Sequence, residues 1–522
     1  MELLSDHLLT ITGLLGLVIT LYLWRVETQS HKTKGVLLAP QVSGGLPFIG
    51  HLHQLGGQKP LCRTLGDMAD KYGPIFTIYL GTYRTLVVSN YDAVKECFTT
   101  NDKSFAARPR SAHGTYLGYN NAAFGFAPYG AYWRKMRKLV MIELLSSRRL
   151  ETLKHIQVYE VETFVKDLYG VCKSNDGYGP IQVVISQWLE HLTLNIITQM
   201  VAGKRYFNGG NSGSDEEAER IGRIIKEYMA ISGAPVVSDM IPVPQWIDFQ
   251  GKLKLMKRMG KELDCLMQSW IEEHYITRDK SNYKQDFIDV MLSMVEDDPT
   301  LGYTRENIIK GTVTNLIIAG SDTTAISLEW ALSLLLNNRH AVERARDELD
   351  LVVGQERWVE DTDIKNLVYL QAIVKETLRL YPPGPLAVPH EAMEDCNVCG
   401  YNVQKGTRLF VNLWRLHRDP NFWPDPEVFS PERFLTSQTG IDASGLHFEF
   451  IPFGSGRRAC PGINFAFQVI HLTLARLLQG FELATPLNEA VDMSEGSGVT
   501  LPRATPLVIL LTPRLPHNLY QN

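Results

Sequence analysis

The sequence predicts a mainly α, α+β architecture: one large helical domain with small β-sheets, behind an N-terminal leader. Three observations predict it. From about residue 130 onward, apolar residues recur at helical spacing over long stretches. Strand-like runs are short and gathered near 75–89 and 396–411, which segregates strands from helices. After residue 52 no Gly/Ser linker, charge block or internal repeat divides the chain, so 53–522 is read as one domain, although length alone would suggest about three.

The elements follow in order. Leu8 to Trp24 carries no charge and is mostly apolar, close to the lower limit for a spanning helix, about 17 residues. A cleaved signal would want a basic start and a small-residue cleavage site. This chain starts with Glu2 and Asp6, ends the run in Tyr22 and Trp24, and continues with Arg25, Lys32 and Lys34. Residues 1–25 are therefore read as an uncleaved membrane anchor, with the following chain on the cytosolic side. Residues 26–52 are a basic, Pro/Gly-rich connector containing Ala39-Pro40 and Leu46-Pro47-Phe48-Ile49-Gly50. Ile75 to Leu80 and Leu86 to Ser89 read as strands. Residues 208–216 have loop chemistry. Residues 234–247 are apolar but broken by Pro235, Pro242 and Pro244, a loop packed on the domain or dipping into the membrane surface. A helix is predicted from an N-cap at Thr304 to about Asn337. Another runs from about Leu367 to Tyr381, where Pro382-Pro383 stops it. Cys396–Val403 and Thr407–Val411 flank Gly406 and read as a hairpin.

Charge and cysteine usage narrow the classes. The formal net charge is -5, which offers no basic footprint for nucleic acid. Seven cysteines are scattered at 62, 97, 172, 265, 396, 399 and 460. That is too sparse for a disulfide framework and fits a reducing compartment with a thiol free to hold a metal. Cys396-x-x-Cys399 lacks the second ligand pair that zinc wants and is read as structural.

The most informative stretch is Phe453-Gly454-Ser455-Gly456-Arg457-Arg458-Ala459-Cys460-Pro461-Gly462. The glycines let backbone approach a flat prosthetic group. Arg458 suits a carboxylate partner. Cys460 precedes a proline fit for the first turn of a helix, whose N-terminus favours a thiolate. A rival reading uses Gly454-x-Gly456-x-x-Ala459 with Glu482 as a dinucleotide fingerprint of an NAD-dependent oxidoreductase. Pro452 interrupts the strand that reading needs, and no βαβ pattern recurs.

Phe453, Gly456, Arg458, Cys460 and Gly462 fill every defined position of the cytochrome P450 haem-binding signature, and the chain resembles that family. Ala319-Gly320-Ser321-Asp322-Thr323-Thr324 is similar to its oxygen-activation motif, which makes Asp322 and Thr323 the catalytic pair. Glu376-x-x-Arg379 with Phe429-x-Pro431-Glu432-Arg433-Phe434 matches its structural network of Glu376, Arg379 and Arg433. Trp133-x-x-x-Arg137 is similar to a helix that reaches a haem propionate, and His390 to a second propionate partner.

The resemblance spans essentially the whole chain. It is closest to plant microsomal members, in the clan that contains nicotine N-demethylase and tropinone synthase. It implies the cytochrome P450 fold, with haem b between the long central helix and the cysteine loop and Cys460 as iron ligand. It also implies O2 and NADPH as co-substrates, electrons from NADPH–cytochrome P450 reductase, and a single-pass endoplasmic reticulum anchor in membrane lipid. The pocket would be lined by Tyr116, Phe124, Phe126, Asn315, Ile318, Ala319, Leu386, Val388 and Val499, a mixture that suits a small lipophilic molecule. The clan implies an alkaloid oxidised beside an N-methylpyrrolidine nitrogen, leading to tropinone. N-demethylation of a pyridine alkaloid and hydroxylation of a terpenoid or phenolic are the alternatives. A relative that rearranges peroxides without NADPH, or a non-catalytic haem protein, would be expected to lack Asp322 and Thr323 or Cys460, and this chain keeps all three.

Overall fold

Apolar residues recur on nearly every side of the segment 305–337, and a helix of that kind belongs at the centre of a core. The computed structural model places it there. It describes residues 37–521 apart from 58, 174–178, 208–215, 233–235, 242–247, 249 and 278–284, together with 12, 13 and 16. The anchor predicted over Leu8–Trp24 lies almost wholly outside the described residues, as do most of the loops predicted at 208–216 and 234–247. Among the described residues no helix is long and apolar enough to cross a membrane.

The long helices are α1 (Ala131–Glu143), α2 (Ser147–Lys173), α3 (Ile185–Ala202), α4 (Glu216–Ser232), α5 (Lys252–Thr277), α6 (Arg305–Asn337), α7 (Arg339–Val352), α8 (Val368–Leu380) and α9 (Ile463–Gly480). The strands are β1 (Ile75–Leu80), β2 (Tyr83–Val88), β3 (Ile181–Val184), β4 (His390–Glu391), β5 (Cys396–Val398), β6 (Tyr401–Val403), β7 (Arg408–Val411), β8 (Phe481–Ala484) and β9 (Val508–Pro513). They form a four-stranded sheet in the order β1-β2-β7-β4, a three-stranded sheet β3-β9-β8, and the pair β5-β6.

The central helix starts where the sequence places it, with Thr304 Oγ1 accepting from Asn307 N at 3.2 Å. It packs most extensively on α3, and also on α8 and α9. Leu328, Trp330, Leu332 and Leu335 are fully buried there. Helix α8 ends at Leu380, just before the two prolines.

One local prediction changes. The hairpin is β5–β6, inside Cys396–Val403, and not the pairing of 396–403 with 407–411. Cys399 (φ 48°) and Gly400 (φ 86°) form its two-residue turn, the geometry that matches strand twist. Strand β7 instead lies parallel to β2 and antiparallel to β4. Part of the connector is docked on the sheet: Val42 N donates to Thr77 O at 3.1 Å. His51, fully buried, lies with Nε2 2.8 Å from Val42 O and Nδ1 2.9 Å from Tyr79 N.

Candidate active site

The cysteine loop is shaped by its own backbone. Cys460 N donates to Phe453 O at 2.9 Å, and Cys460 Sγ accepts from Gly462 N at 3.4 Å. Helix α9 begins after Gly462 as N-cap, so Pro461 precedes the first helical turn and does not sit in it. Burial pushes the Cys460 thiol above its ordinary value, against the lowering influence of Gly462 N–H and the Arg137 guanidinium. Gly456 has a reason the sequence did not suggest. At φ 66° it backs onto Asp102, whose Oδ1 would lie 2.3 Å from a Cβ there. Asp102 in turn accepts from Arg457 N at 2.9 Å and pairs with Arg457 Nε at 3.0 Å.

Beside this loop four basic side chains converge. The Trp133 ring on α1 has the Arg458 guanidinium 4.4 Å from its centroid and Arg137 at 5.6 Å. Arg137 Nη2 donates to Ala459 O at 2.7 Å. Arg458 donates to Ala106 O at 2.8 Å and Ala127 O at 2.7 Å. Arg108 Nη1 donates to Val388 O at 2.6 Å and Pro389 O at 2.9 Å, and its Nε is buried without a partner. His390 Nδ1 lies 2.7 Å from Phe105 O. Burial and then the Arg137 charge push Arg458 down to about 10. Burial and then Arg458 and Arg137 hold Arg108 well below its ordinary value, and burial and then Arg108 do the same for His390. Arg108 was missed in the sequence because a loop Arg-Pro-Arg has no periodic signature. It becomes visible only once Val388–His390 folds onto it.

On α6, Ala319 is exposed and Thr323 half-exposed although the helix is otherwise central. That leaves an open face on its middle turn. Thr323 Oγ1 donates to Ala319 O at 2.7 Å. Asp322 is pushed up to about 6 by burial, opposed by the Thr500 hydroxyl, and its Oδ2 is buried without a partner. Thr500, next to the predicted Val499, is a second residue the sequence reading passed over. Gly320 is the glycine of the motif on α6. Its missing side chain admits α3 and α9: a Cβ there would lie 3.1 Å from Ile197 and 3.6 Å from Phe465.

The predicted pocket residues are not all brought together. Asn315 Oδ1 accepts from Gly125 N at 2.8 Å, which sets Phe124 and Phe126 beside α6. Phe124 O is also 3.4 Å from Arg458 Nη1. Tyr116 lies against α5, with Lys257 Nζ 5.1 Å from its ring centroid. Ile318 turns toward a narrow apolar cleft between α4 and α5, with Ile225, Met267 and Trp270. Leu386 packs on the sheet-side cluster of Leu65, Phe76 and Phe410, while Val388 is exposed. Val499 is half-buried.

A family model described as Cytochrome P450 matches residues 40–510. The chain belongs to the cytochrome P450 family. The P450 relatives include "Cytochrome P450 CYP82J17" of Trigonella foenum-graecum, 55% identical, and the vinorine hydroxylase of Rauvolfia serpentina, 49% identical. These alignments cover 96% of both chains and 98% of both chains, respectively. Nicotine N-demethylase CYP82E4 of Nicotiana tabacum is 47% identical over 98% of this chain and 99% of its own. A solved zebrafish cytochrome P450 with progesterone has a TM-score of 0.72 at 28% identity, covering 87% of this chain and all of that one. The fold is thus the mainly helical P450 fold, and the protein is a plant-type P450 monooxygenase of specialised metabolism. As a P450 it uses haem b, with O2 and with NADPH electrons delivered through the family's reductase. The expectation of tropinone formation finds no support, since those of these relatives whose names give an activity are hydroxylases and nicotine N-demethylases.

The P450 site fits a haem on its own chemistry. Arg108, Arg137 and Arg458 have backbone carbonyls as hydrogen-bond acceptors, and none makes an ion pair with a carboxylate among the described residues. Three half-buried cations side by side call for an anionic partner, and a haem's two propionates would supply one. Helix α8 carries a separate network. Glu376 accepts from Arg379 at 2.7 and 2.8 Å, from Arg433 Nε at 3.0 Å and from Ser430 N at 3.0 Å. Arg379 also reaches His417 O at 2.8 Å and Pro426 O at 2.7 Å. Glu376 thus joins α8 to the 417–433 segment.

Proposed function

We propose that this P450 oxidises a compact lipophilic alkaloid. The observation that carries the site is the half-buried Cys460 loop, which leads into α9, beside three guanidinium groups without a carboxylate among the described residues; α9 packs on α6. In this reading Cys460 ligates the iron, and Trp133, Arg137, His390, Arg458 and the newly found Arg108 hold the propionate side. Phe453, Gly456 and Gly462 shape the loop. Glu376, Arg379 and Arg433 are structural. When bound, the haem supplies oxygen activation, and its thiolate ligand favours O–O cleavage.

The remaining work belongs to the chain. Thr323 presents a hydroxyl on the open face. Asp322, its pKa raised to about 6, sits where it exchanges a proton near neutral pH, which is what a proton-delivering carboxyl needs. Phe124, Phe126 and Asn315 border the space and keep water out. Tyr116, Ile318, Ala319, Leu386, Val388 and Val499 would complete the lining, with Ile318 and Leu386 needing to turn from their present packing. Residues 1–25 anchor the protein in the endoplasmic reticulum membrane, 26–52 connect, and 53–522 face the cytosol and receive electrons from NADPH–cytochrome P450 reductase.

Support for the alkaloid comes from relatives named for vinorine and nicotine. Relatives named xanthotoxin 5-hydroxylases, one 51% identical, support a second reading, hydroxylation of an aromatic oxygen heterocycle. The test is a carbon monoxide difference spectrum of the reduced protein beside Cys460→Ser. Turnover of nicotine, vinorine and xanthotoxin with reductase and NADPH follows. The far-red-shifted Soret band should appear in wild type and vanish in the variant. Turnover of xanthotoxin alone would replace the alkaloid reading, and a band that survives Cys460→Ser would overturn the ligand assignment.

A further inference from the structure

The segment 111–126 lies across α6: besides the Gly125–Asn315 bond, a Cβ on Gly311 would lie 2.9 Å from Ala123 N. Three elements hold the segment from outside. His113 Nε2 is 2.7 Å from Ile231 O at the end of α4. Helix α5 backs onto it so closely that a Cβ on Gly260 would lie 2.4 Å from Tyr116 O. The third is Asp239, in the short turn Val237–Asp239.

Ala112 N, the first amide of the helix Ala112–Tyr116, donates to Asp239 Oδ1 at 2.9 Å and Oδ2 at 3.0 Å. Ser111 Oγ, at the N-cap, accepts from Gly114 N at 3.1 Å. A carboxylate accepting from the first turn of a helix is a charge-assisted bond in a favourable place. Asp239 is itself tied to the sheet. Arg408 Nη2 on β7 donates to its carbonyl at 2.8 Å. Its neighbour Met240 accepts from Thr82 N at 3.0 Å at the β1–β2 turn. Gly81, at φ 64°, lets the two backbones meet: a Cβ there would lie 2.0 Å from Met240 O. The turn at 237–240 is therefore anchored to the sheet, and it presents its carboxylate to the first amide of the helix Ala112–Tyr116.

We propose that Asp239 is a positioning residue: from its sheet-anchored turn it holds the 111–126 segment over the site and so sets how fast substrate passes in and out. This rests on the reading that residues 116–126 border the substrate space.

The test uses the full-length haem-loaded enzyme, with 4-phenylimidazole as a bulky iron-binding probe and cyanide as a small one. Wild type, Asp239→Ala and Asp239→Asn are compared by stopped-flow absorption and by hydrogen exchange of the 112–116 amides. For Asp239→Ala, association and dissociation of 4-phenylimidazole should both rise about tenfold, the loss of one charge-assisted bond. Its Kd should stay within about twofold, cyanide rates should hold, and exchange should quicken. Asp239→Asn keeps one acceptor oxygen and should give about threefold. If Asp239→Ala does not retain the far-red-shifted carbon monoxide band, Asp239→Asn is read by the same criteria. Unchanged exchange and unchanged rates overturn the proposal. So does an equal rise for cyanide, which would mean a general loosening of the site. Faster exchange with unchanged 4-phenylimidazole rates overturns it through the other premise, that 116–126 border the access path. The probes need no natural substrate, so these outcomes are independent of the substrate screen.

Discussion

Replacing Glu376 by Gln takes one negative charge from between two buried guanidinium groups, and the structure sets the size of the loss. Glu376 and Arg379 are 0% exposed and Arg433 7%. Four bonds between 2.7 and 3.0 Å converge on the carboxylate. An amide keeps one acceptor and turns the other into a donor that faces the donors of Arg379. Breaking a buried ion pair costs about 3–5 kcal/mol. Both arginines retain carbonyl partners, His417 and Pro426 for Arg379 and Pro424 for Arg433, which argues for the lower end, about 3 kcal/mol. With a denaturant slope above the small-protein range, the urea midpoint should fall by roughly 0.5–1 M. The assay follows the carbon monoxide band and tryptophan fluorescence against urea, with the Cys460 environment checked by the position of the band. A midpoint within about 0.2 M of wild type would refute the reasoning that this network joins α8 to the 417–433 segment.

Other outcomes follow from single contacts. Gly456→Ala should lower haem retention several-fold, because it adds both left-handed strain and a clash with Asp102. Pairing it with Asp102→Ala should restore only part of the loss, read as bound haem per protein, since the strain at φ 66° remains. Burial raises Asp322 to about 6, so the folded protein holds that proton more tightly than the unfolded chain. Its stabilising effect is present below the ordinary carboxylate value and is lost as pH rises through about 6. Asp322→Asn should therefore be more stable relative to wild type at pH 7 than at pH 5, measured by urea midpoints. The same variant should divert NADPH electrons from product to peroxide by an order of magnitude or more if Asp322 delivers protons. Thr304→Ala removes the hydroxyl that caps α6 and should cost about 1 kcal/mol, seen as faster hydrogen exchange in the first turn with no change in the carbon monoxide band.

The parts legible in the sequence were those whose signal is local. Thr304 as N-cap, the prolines after Tyr381 and the period of 305–337 depend on neighbours within a few residues, so α6 and α8 could be placed before any packing was known. The Cys460 signature and the Glu376–Arg379 spacing are likewise local, and the family follows from them. The hairpin was misplaced because its turn uses Cys399 at φ 48°, a residue type that does not advertise a left-handed conformation. Its partner strand β7 found β2, over 300 residues away.

What required the tertiary structure was every role set by a distant surface. Gly456 was tied to a prosthetic group from its type, yet Asp102 is what presses on it, as Ile197 presses on Gly320. Arg108 joins the cationic cluster only because Val388–Pro389 returns to accept from it, and Asp239 meets Ala112 from a turn that β7 and the β1–β2 corner hold in place. The sequence by itself determined the family, the cysteine signature and the helices α6 and α8, because covalent spacing and backbone preference are written along the chain. Only the folded structure decided which side chains share a space, because burial and unpaired charge are properties of neighbours that folding chooses.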